Sequence, residues 1–303
     1  MQIAKRAFLR LALAACLTLA FTTQAMAAKE IVLGGKNYTE QYLLTELAKQ
    51  ILESKGFQVT VKNGVSTSIA RQSLENGLTD LYFEYTGTAY TVYHKGTDPE
   101  VINNSQKSYD YCKTKDAEKG LIWLKKTSFN NTYTLMMRAD EAAAANIKTI
   151  SDLGDRYKKD SKAYTLAVGT EFWERPDGIK KMMKVYGFRI SGSRIKKMDV
   201  GITYLALKNK QVDVAMGYST DGRISAFNLI NLDDDMHFFP VYNPAPVVRK
   251  DVLTKYPEIE TLLAPLTDKL TADQMQTLNA KVDVDHQSVT DTASAWLKAN
   301  NLL

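Results

Sequence analysis

The sequence has few cysteines, histidines and prolines, and the scarcity of cysteine excludes a disulfide scaffold. Its 303 residues include two cysteines, Cys16 and Cys112, three histidines and seven prolines. Cys16 lies in an amino-terminal segment that we expect to be removed, so no disulfide can form within the mature chain. About 275 residues are enough for ordinary apolar cores to stabilise one or two domains.

A long apolar run occurs near the amino terminus and nowhere later in the sequence. Residues 11–21 are apolar, follow a basic segment and precede the small-x-small sequence Ala25-Met26-Ala27. This order is typical of a secretory signal peptide at residues 1–27, which predicts a periplasmic mature protein. One alternative is a retained membrane anchor. Another is a lipid anchor on Cys16, because the residues before it resemble a lipobox; we favour cleavage after Ala27.

The charge of the chain is nearly balanced. The formal net charge is +5, and residues 1–27 carry three basic residues and no acidic ones, so the mature chain has 5 − 3 = +2. No basic stripe stands out, and the sequence therefore does not favour nucleic-acid binding. After residue 28, no apolar run is long enough to cross a membrane.

A short pattern occurs twice in the sequence. LENGLTDLYFEYTGT starts at Leu74 and LKNKQVDVAMGYSTD starts at Leu207, with a constant offset of 207 − 74 = 133. Each copy predicts the end of a helix, a turn, a short strand and then a tyrosine, Tyr85 or Tyr218. Ligands of open α/β sheets bind at the carboxyl ends of strands. The repeat therefore predicts two similar lobes that face one cleft.

Strand and helix patterns alternate along most of the chain, which predicts an α/β fold with mainly parallel sheets. From Val247 to the carboxyl terminus the pattern predicts helices. No Pro/Ser/Gly-rich linker divides the chain, as expected if two strands cross between the lobes and act as a hinge. We predict a first lobe formed by residues 28–131 plus 240–303 and a second formed by residues 132–239.

Four tyrosines lie at predicted strand ends or crossings: Tyr85, Tyr133, Tyr218 and Tyr242. Each could simply be a boundary residue with a buried ring and a hydrated hydroxyl. Their shared placement instead favours one site. A ring of electron-rich faces without a fixed anion suits a quaternary ammonium group, which each face attracts by roughly 0.5–2 kcal/mol.

Polar residues near these positions could bind the other end of such a ligand. Lys36 follows the first strand, Thr88 lies one turn beyond Tyr85, and Asn131 is near Tyr133. Arg175 has the fork geometry that binds carboxylates. A surface role for Lys36 and a salt bridge of Arg175 with Glu171 or Asp177 are open alternatives.

Patterns of enzyme and metal sites are missing from the sequence. The phosphate-loop spacings, a nucleophile elbow and a recognisable carboxylate pair are absent. The histidines do not form HExxH, and Asp233-Asp234-Asp235 lacks the ligand spacing of a calcium loop. We therefore expect a protein that is not an enzyme and binds no metal or other cofactor.

Six segments occur in order over nearly the whole mature chain: GGKNYTEQ, DLYFEYTGT, NNTYTL, TEFWERPDG, GYSTDGRI and FFPVYNPAPVVR. Together they resemble the glycine betaine/choline-binding proteins of osmoprotectant ABC transporters. The resemblance implies a two-lobed periplasmic-binding-protein fold of type II, a tyrosine cage at the four tyrosines named above, and polar contacts from Lys36, Thr88 and Arg175, with Gln41 and Asn131 as further candidates.

The sequence therefore predicts a monomeric binding protein that captures glycine betaine, choline or a related compound between its lobes. The resemblance implies delivery to an ABC permease and ATPase complex at the inner membrane. A binding protein for amino acids or other small carboxylates, anchored by Arg175, is the first alternative. An enzyme of the same bilobal fold is the second.

Overall fold

The computed structural model describes residues 28–303, so the predicted signal peptide and Cys16 lie outside the described residues. Within that range the chain forms two five-stranded sheets with helices on their faces. The strands are β1 Lys29–Lys36, β2 Phe57–Val65, β3 Leu81–Tyr85, β4 Leu121–Trp123, β5 Tyr133–Arg138, β6 Leu166–Gly169, β7 Ile195–Met198, β8 Val214–Tyr218, β9 Leu229–Asn231 and β10 Pro244–Arg249.

The helices alternate with the strands through most of the chain and then form a carboxyl-terminal group that packs on the first sheet. They are α1 Thr39–Ser54, α2 Thr67–Glu75, α3 Thr86–Thr88, α4 Pro99–Ile102, α5 Ser105–Ala117, α6 Ala139–Ala145, α7 Ile150–Lys159, α8 Thr170–Glu174, α9 Ile179–Val185, α10 Val200–Lys208, α11 Arg223–Ala226, α12 Lys250–Lys255, α13 Glu258–Lys269, α14 Ala272–Asp283 and α15 Val289–Ala299. A π-helical turn at Ala89–Tyr93 continues α3, and a 3₁₀ turn at Gly192–Arg194 precedes β7.

The two sheets have the same internal order. The first is β2-β1-β3-β10-β4 and the second is β7-β6-β8-β5-β9. The repeat in the sequence explains this likeness, because α2 and α10, and likewise β3 and β8, begin and end at positions related by the constant offset of the repeat. The two copies form equivalent helix–strand units, one in each sheet.

Half of the strand pairs are antiparallel, which corrects the expectation of mainly parallel sheets. In each sheet two pairs are parallel and two are antiparallel, and the antiparallel pairs involve β10 in the first sheet and β5 in the second. Both strands enter their sheet directly from a segment that connects the two sheets. They therefore start at the cleft and run away from it, whereas β1, β3, β6 and β8 run toward it.

The prediction of helices from Val247 onward was wrong for its first residues. Val247, Val248 and Arg249 belong to β10, where Val247 pairs with Tyr82 of β3 on one side and Trp123 of β4 on the other. β10 is central to its sheet and buried, so its apolar run shows no period that could separate a strand from a helix. The helices begin at Lys250.

Two segments connect the sheets, residues 124–132 and residues 232–243, and neither belongs to a named strand. They lie side by side and are joined by hydrogen bonds. The amide of Asn131 donates to the carbonyl of Tyr242 at 3.0 Å, and the amide of Tyr242 donates to Oδ1 of Asn130 at 2.7 Å. The two halves are thus connected by two segments that are hydrogen-bonded to each other.

Each sheet has its own buried core. In the first, Leu43, Leu47 and Leu263 are among the buried residues that pack the helices against the strands. In the second, Leu153 and Val168 have this role. The core of the second sheet also includes Tyr85 and Tyr242, which belong to the first half and to a connecting segment. Aromatic residues therefore continue the packing across the cleft.

Candidate functional site

Four strand termini bring tyrosines to the cleft. Tyr85 is the last residue of β3 and Tyr218 the last of β8. Tyr133 is the first residue of β5 and pairs directly with Tyr218 across the antiparallel ladder. Tyr242 lies two residues before β10, whose Pro244 pairs with Tyr85. Because parallel strands end and antiparallel strands begin at this edge, side chains far apart in sequence lie together.

The tyrosine rings line one small cavity. The ring of Tyr133 has its centroid 5.3 Å from that of Tyr218 and 5.5 Å from that of Tyr242. A fifth ring, Tyr38, lies 5.3 Å from Tyr218 and 6.4 Å from Tyr85. The cavity, called the tyrosine cavity below, is lined by Lys36, Tyr38, Thr67, Tyr85, Thr88, Asn131, Tyr133, Glu171, Arg175, Tyr218 and Tyr242.

The tyrosines of the cavity are neutral at ordinary pH. Burial raises the pKa of Tyr85, Tyr218 and Tyr242 well above the usual value of a phenol. Burial also raises the pKa of Tyr133. The rings therefore present uncharged, electron-rich faces rather than phenolates.

Two of the hydroxyls donate to buried carboxylates behind the cavity. Tyr85 donates to Oε1 of Glu40 at 2.7 Å, and Tyr242 lies 3.4 Å from Oδ2 of Asp177 as a weaker donor. These contacts orient both rings, because a buried hydroxyl without an acceptor would cost free energy.

Lys36 lies in the wall of the tyrosine cavity and is buried in an ion pair. Its Nζ is 2.6 Å from Oε1 of Glu84, and both side chains are almost fully buried. The hydroxyl of Tyr82 donates to the second oxygen of Glu84 at 2.6 Å. The alternative of a plain surface lysine is therefore wrong, since the cation is 2% exposed.

Arg175 also reaches the cavity, with most of its fork engaged by an acid. Its Nε and Nη2 donate to the two carboxylate oxygens of Asp177 at 2.8 and 2.7 Å. Its Nη1 makes a longer contact of 3.5 Å with Glu171, and its guanidinium is 5.4 Å from the ring centroid of Tyr133. The salt-bridge alternative from the sequence is thus present in the structure, and Nη1 is the part of the fork that Asp177 does not engage.

The other three polar candidates have different positions. Thr88 and Asn131 line the cavity. Gln41 is buried but does not line it: its amide donates to the carbonyl of Phe83 at 3.0 Å and to the hydroxyl of Tyr85 at 3.3 Å. Gln41 therefore supports the Tyr85 ring from behind, whereas the other eight predicted residues share the cavity wall.

Sequence reasoning missed two prominent residues of the cavity, Tyr38 and Glu171. They are related by the offset of the repeat, and each lies two positions after the end of a strand, β1 or β6. The offset relates the two positions to each other, and the signal that could have found them is their place just after the end of a strand, where ligands of α/β sheets bind. Glu171 also corrects the expectation that the cage holds no anion, since this carboxylate lines it and is 38% exposed.

The cleft extends beyond the tyrosine cavity. A neighbouring cavity lies behind Tyr38 and Tyr218 and is lined by more polar groups, among them Glu40, Asp221 and Arg223. The paired rings of Tyr38 and Tyr218 separate the aromatic compartment from the polar one.

Two negative findings apply to residues 28–303. In this described part, no helix is both long and apolar enough to cross a bilayer. The same residues contain no cluster of three or more acidic, histidine or cysteine side chains placed to hold a metal ion.

Comparison with known proteins gives consistent results. A protein of Pseudomonas aeruginosa called glycine-betaine-binding protein is 39% identical over 301 residues, which is 97% of this chain and 96% of that one. The carnitine transport binding protein OpuCC of Listeria monocytogenes is 34% identical over 89% of this chain and 87% of its own length. A solved structure described as a glycine betaine/carnitine/choline ABC transporter has a TM-score of 0.73 and 28% identity, over 90% of this chain and 99% of that one.

The similarity to this solved structure confirms the α/β binding-protein fold predicted from the sequence. Residues 29–299 match the family described as the substrate-binding domain of ABC-type glycine betaine transport systems. The match covers nearly all of the described residues. The relative from Pseudomonas aeruginosa, at 39% identity, is similar over almost the whole chain as well. The chain therefore belongs to the family of substrate-binding domains of ABC-type glycine betaine transport systems.

Proposed function

We propose that this protein binds a quaternary ammonium compound in the tyrosine cavity and delivers it to an ABC importer. The observation that supports this most directly is the set of five tyrosine rings that line one small cavity. A trimethylammonium group has no N–H to donate and is weakly hydrated. Neutral aromatic faces therefore suit it better than hydrogen-bond acceptors do.

The affinity expected of such a cage is in the micromolar range. Each aromatic contact with a cation contributes roughly 0.5–2 kcal/mol, more when the contact excludes water. Four or five contacts together with apolar burial reach about 8 kcal/mol, which corresponds to a dissociation constant of about 1 μM. Tyr85, Tyr133 and Tyr242 are only 3%, 7% and 2% exposed, which supports the upper part of the range for a single contact.

The other end of the ligand would meet polar groups at the cavity wall. We propose that Nη1 of Arg175 and the hydroxyl of Thr88 bind the carboxylate of a betaine, with Lys36 adding positive charge nearby. Asn131 can serve the same end of the ligand. Gln41 would act indirectly, through Tyr85.

The transport steps follow from the family. We propose that residues 28–131 plus 240–303 and residues 132–239 move as two lobes that close on the ligand, and that a permease and ATPase complex accepts the closed form. Closure would be a shift in the population of open and closed states, stabilised by contacts that the ligand makes to both lobes. We further propose that the mature protein is periplasmic, monomeric and not an enzyme.

A binding protein for simple amino acids or other small carboxylates is the weaker candidate. It would need Arg175 as a two-point anchor, but Nε and Nη2 of Arg175 already bind both oxygens of Asp177. One remaining donor is a weaker anchor than a full fork. The aromatic cavity would also have no role in such a protein.

Isothermal titration of residues 28–303 tests the proposal. The ligands are glycine betaine, choline, carnitine and ergothioneine, with proline and glutamate as compounds that lack a quaternary ammonium group. We expect micromolar or tighter binding of at least one quaternary compound and none of glutamate. Tyr→Ala changes at positions 85, 133, 218 and 242 should each weaken that binding about tenfold or more. Binding of glutamate or proline alone would overturn the proposal.

A further inference from the structure

Glu40 is a buried acid between the two halves of the molecule. It lies in the first turn of α1, and its side chain is 3% exposed. It lines the polar cavity behind the tyrosine cavity. Burial raises the pKa of Glu40, and hydrogen bonds from its neighbours offset part of this effect. No lysine, arginine or histidine of the described chain lies within salt-bridge distance of this carboxylate.

Both carboxylate oxygens of Glu40 accept hydrogen bonds, and the donors come from three separate parts of the chain. Oε1 accepts from the hydroxyl of Tyr85 at 2.7 Å and from Nδ2 of Asn131 at 2.8 Å. Oε2 accepts from the hydroxyl of Thr220 at 2.6 Å. Tyr85 belongs to the first half, Asn131 to a connecting segment, and Thr220 follows β8 of the second half. Glu40 thus joins a wall of the tyrosine cavity to both the hinge region and the opposite lobe.

The direction of the Tyr85 bond is determined by its surroundings. The amide nitrogen of Gln41 can only donate, and it points at the same hydroxyl from 3.3 Å. The Tyr85 hydroxyl must therefore accept from Gln41 and give its own proton to Glu40. A phenol that donates to a carboxylate places more electron density on its ring, and this strengthens the attraction of the ring for a cation.

The bond between Glu40 and Thr220 depends on closure. It joins the two lobes directly, so it exists only when they are as close as in this structure. Nδ2 of Asn279 from α14 supports the same region by donating to the carbonyl of Thr220 at 3.0 Å. A hydrogen bond to a charged acceptor stabilises more than a neutral one, particularly where water is excluded.

We propose that Glu40 is a positioning residue that couples closure of the lobes to the orientation and electron density of the Tyr85 ring. The inference rests on the proposed function, because the ring would attract the cationic end of the ligand. Glu40 itself would stay behind the ring. Its effect would appear as slower release of the ligand rather than as faster capture, because the bond to Thr220 forms after the ligand has entered.

Two variants separate this role from simple support of the fold. Thr220→Val removes the donor across the cleft and keeps the side-chain shape, and Glu40→Gln removes the charge and keeps the length. Glu53→Gln is the matched control, since it removes an acid from the same helix where the side chain is 42% exposed. We expect Thr220→Val and Glu40→Gln to raise the dissociation rate of glycine betaine roughly tenfold, with association rates within about twofold of wild type.

Interlobe distances provide the second measurement. Spin labels at Lys107→Cys and Lys158→Cys would lie on exposed positions of the two halves, and the native Cys112 is buried. Without ligand and with saturating glycine betaine, we expect a smaller closed fraction in Glu40→Gln and Thr220→Val than in wild type and Glu53→Gln.

The outcomes distinguish the inference from the proposed function. If wild type binds no quaternary ammonium compound, the proposed function fails, and the distances in the ligand-free protein still decide the coupling role of Glu40. If both variants match Glu53→Gln in dissociation rate and in closed fraction, the inference is wrong. A lower melting temperature of Glu40→Gln with unchanged release and closure would also overturn it, because that pattern belongs to a residue that only supports the fold.

Discussion

Tyr38 and Glu171 occupy equivalent positions in the two halves, related by the offset of the repeat, and both line the tyrosine cavity. Each lies two residues beyond the carboxyl end of a strand, Lys36 in β1 and Gly169 in β6. The duplicated architecture thus places an aromatic ring on one side of the cleft and a carboxylate on the other.

Truncation of Tyr38 should weaken binding of a quaternary ammonium ligand. Its ring is the fifth face of the cavity and lies 5.3 Å from the ring of Tyr218. Loss of one cation–π contact of roughly 0.5–2 kcal/mol predicts a roughly 2- to 30-fold higher dissociation constant for Tyr38→Ala by isothermal titration. Tyr38→Phe retains the ring and should bind within about threefold of wild type. Equal affinity of Tyr38→Ala and wild type would remove Tyr38 from the cage.

Glu171→Gln should shift the preference between a cation and a zwitterion. The carboxylate of Glu171 favours a ligand with net positive charge such as choline, and it lies 3.5 Å from the Arg175 nitrogen that we assign to a betaine carboxylate. Because Glu171 is partly exposed, screening limits the effect to a few-fold. We expect the ratio of choline to glycine betaine affinity to fall by about two- to fivefold.

The control for this experiment is Glu174→Gln, on the same short helix and exposed. It should leave the ratio unchanged. A ratio that moves equally in both variants would mean that the charge acts through the general potential of the helix and not at the cavity.

We predict that the protein loses stability in acid when the carboxylate of Asp116 becomes protonated. It is fully buried and accepts from two nitrogens of Arg71 at 2.8 and 2.6 Å and from Nε1 of Trp123 at 2.7 Å. Burial alone would raise the pKa of Asp116, but bonds from Arg71, His94 and Trp123 outweigh it and hold the pKa well below its usual range.

The folded-state pKa of Asp116 is lower than its value of about 3.9 in the unfolded chain, so the stabilisation is complete above about pH 5 and is lost as the pH falls below about 4. Asp116→Asn should lower the free energy of unfolding by about 3–5 kcal/mol at pH 7, because it leaves Arg71 without its buried partner. Urea unfolding between pH 3 and 7 should show a smaller acid-dependent loss in this variant. A parallel pH dependence in both proteins would contradict the assignment.

The two copies of the repeat should contribute equally to stability through Asp80 and Asp213. Oδ2 of Asp80 accepts from the amide of Val32 at 2.7 Å, and Oδ2 of Asp213 accepts from the amide of Thr165 at 2.7 Å. The acids are related by the offset of the repeat, and so are the amides. We expect Asp80→Asn and Asp213→Asn each to lower the free energy of unfolding by about 1–2 kcal/mol.

Urea unfolding at pH 7 measures these losses, with Asp155→Asn as a control at a side chain that is 64% exposed. The control should change the free energy of unfolding by less than about 0.5 kcal/mol. A large loss of stability in one variant and none in the other would mean that Asp80 and Asp213 do not have the same structural role in the two copies.

The local and repeated features of this chain could be predicted from its sequence. Hydrophobic patterns located most helices and strands, including the boundaries of β5, because side-chain periodicity reflects burial of one face. The constant offset of the repeat placed Tyr85 and Tyr218 at strand ends. The positions of Tyr133 and Tyr242 near the predicted crossings added them to the same site, the resemblance to a binding-protein family implied the same four residues, and the structure brings all four to one cavity.

The pairing of strands and of charges was decided by the tertiary structure. The antiparallel direction of β5 and β10 follows from how the chain re-enters each sheet, which no local pattern records. That Lys36 binds Glu84, that Asp177 engages most of the Arg175 fork, and that Glu40 accepts from both halves depend on side chains between 2 and 180 residues apart. The sequence by itself determined that Tyr85 and Tyr218 reach the cleft, because that follows from the strand pattern and the repeat. The partner that each of them meets there depends on distances that exist only after the two sheets have packed.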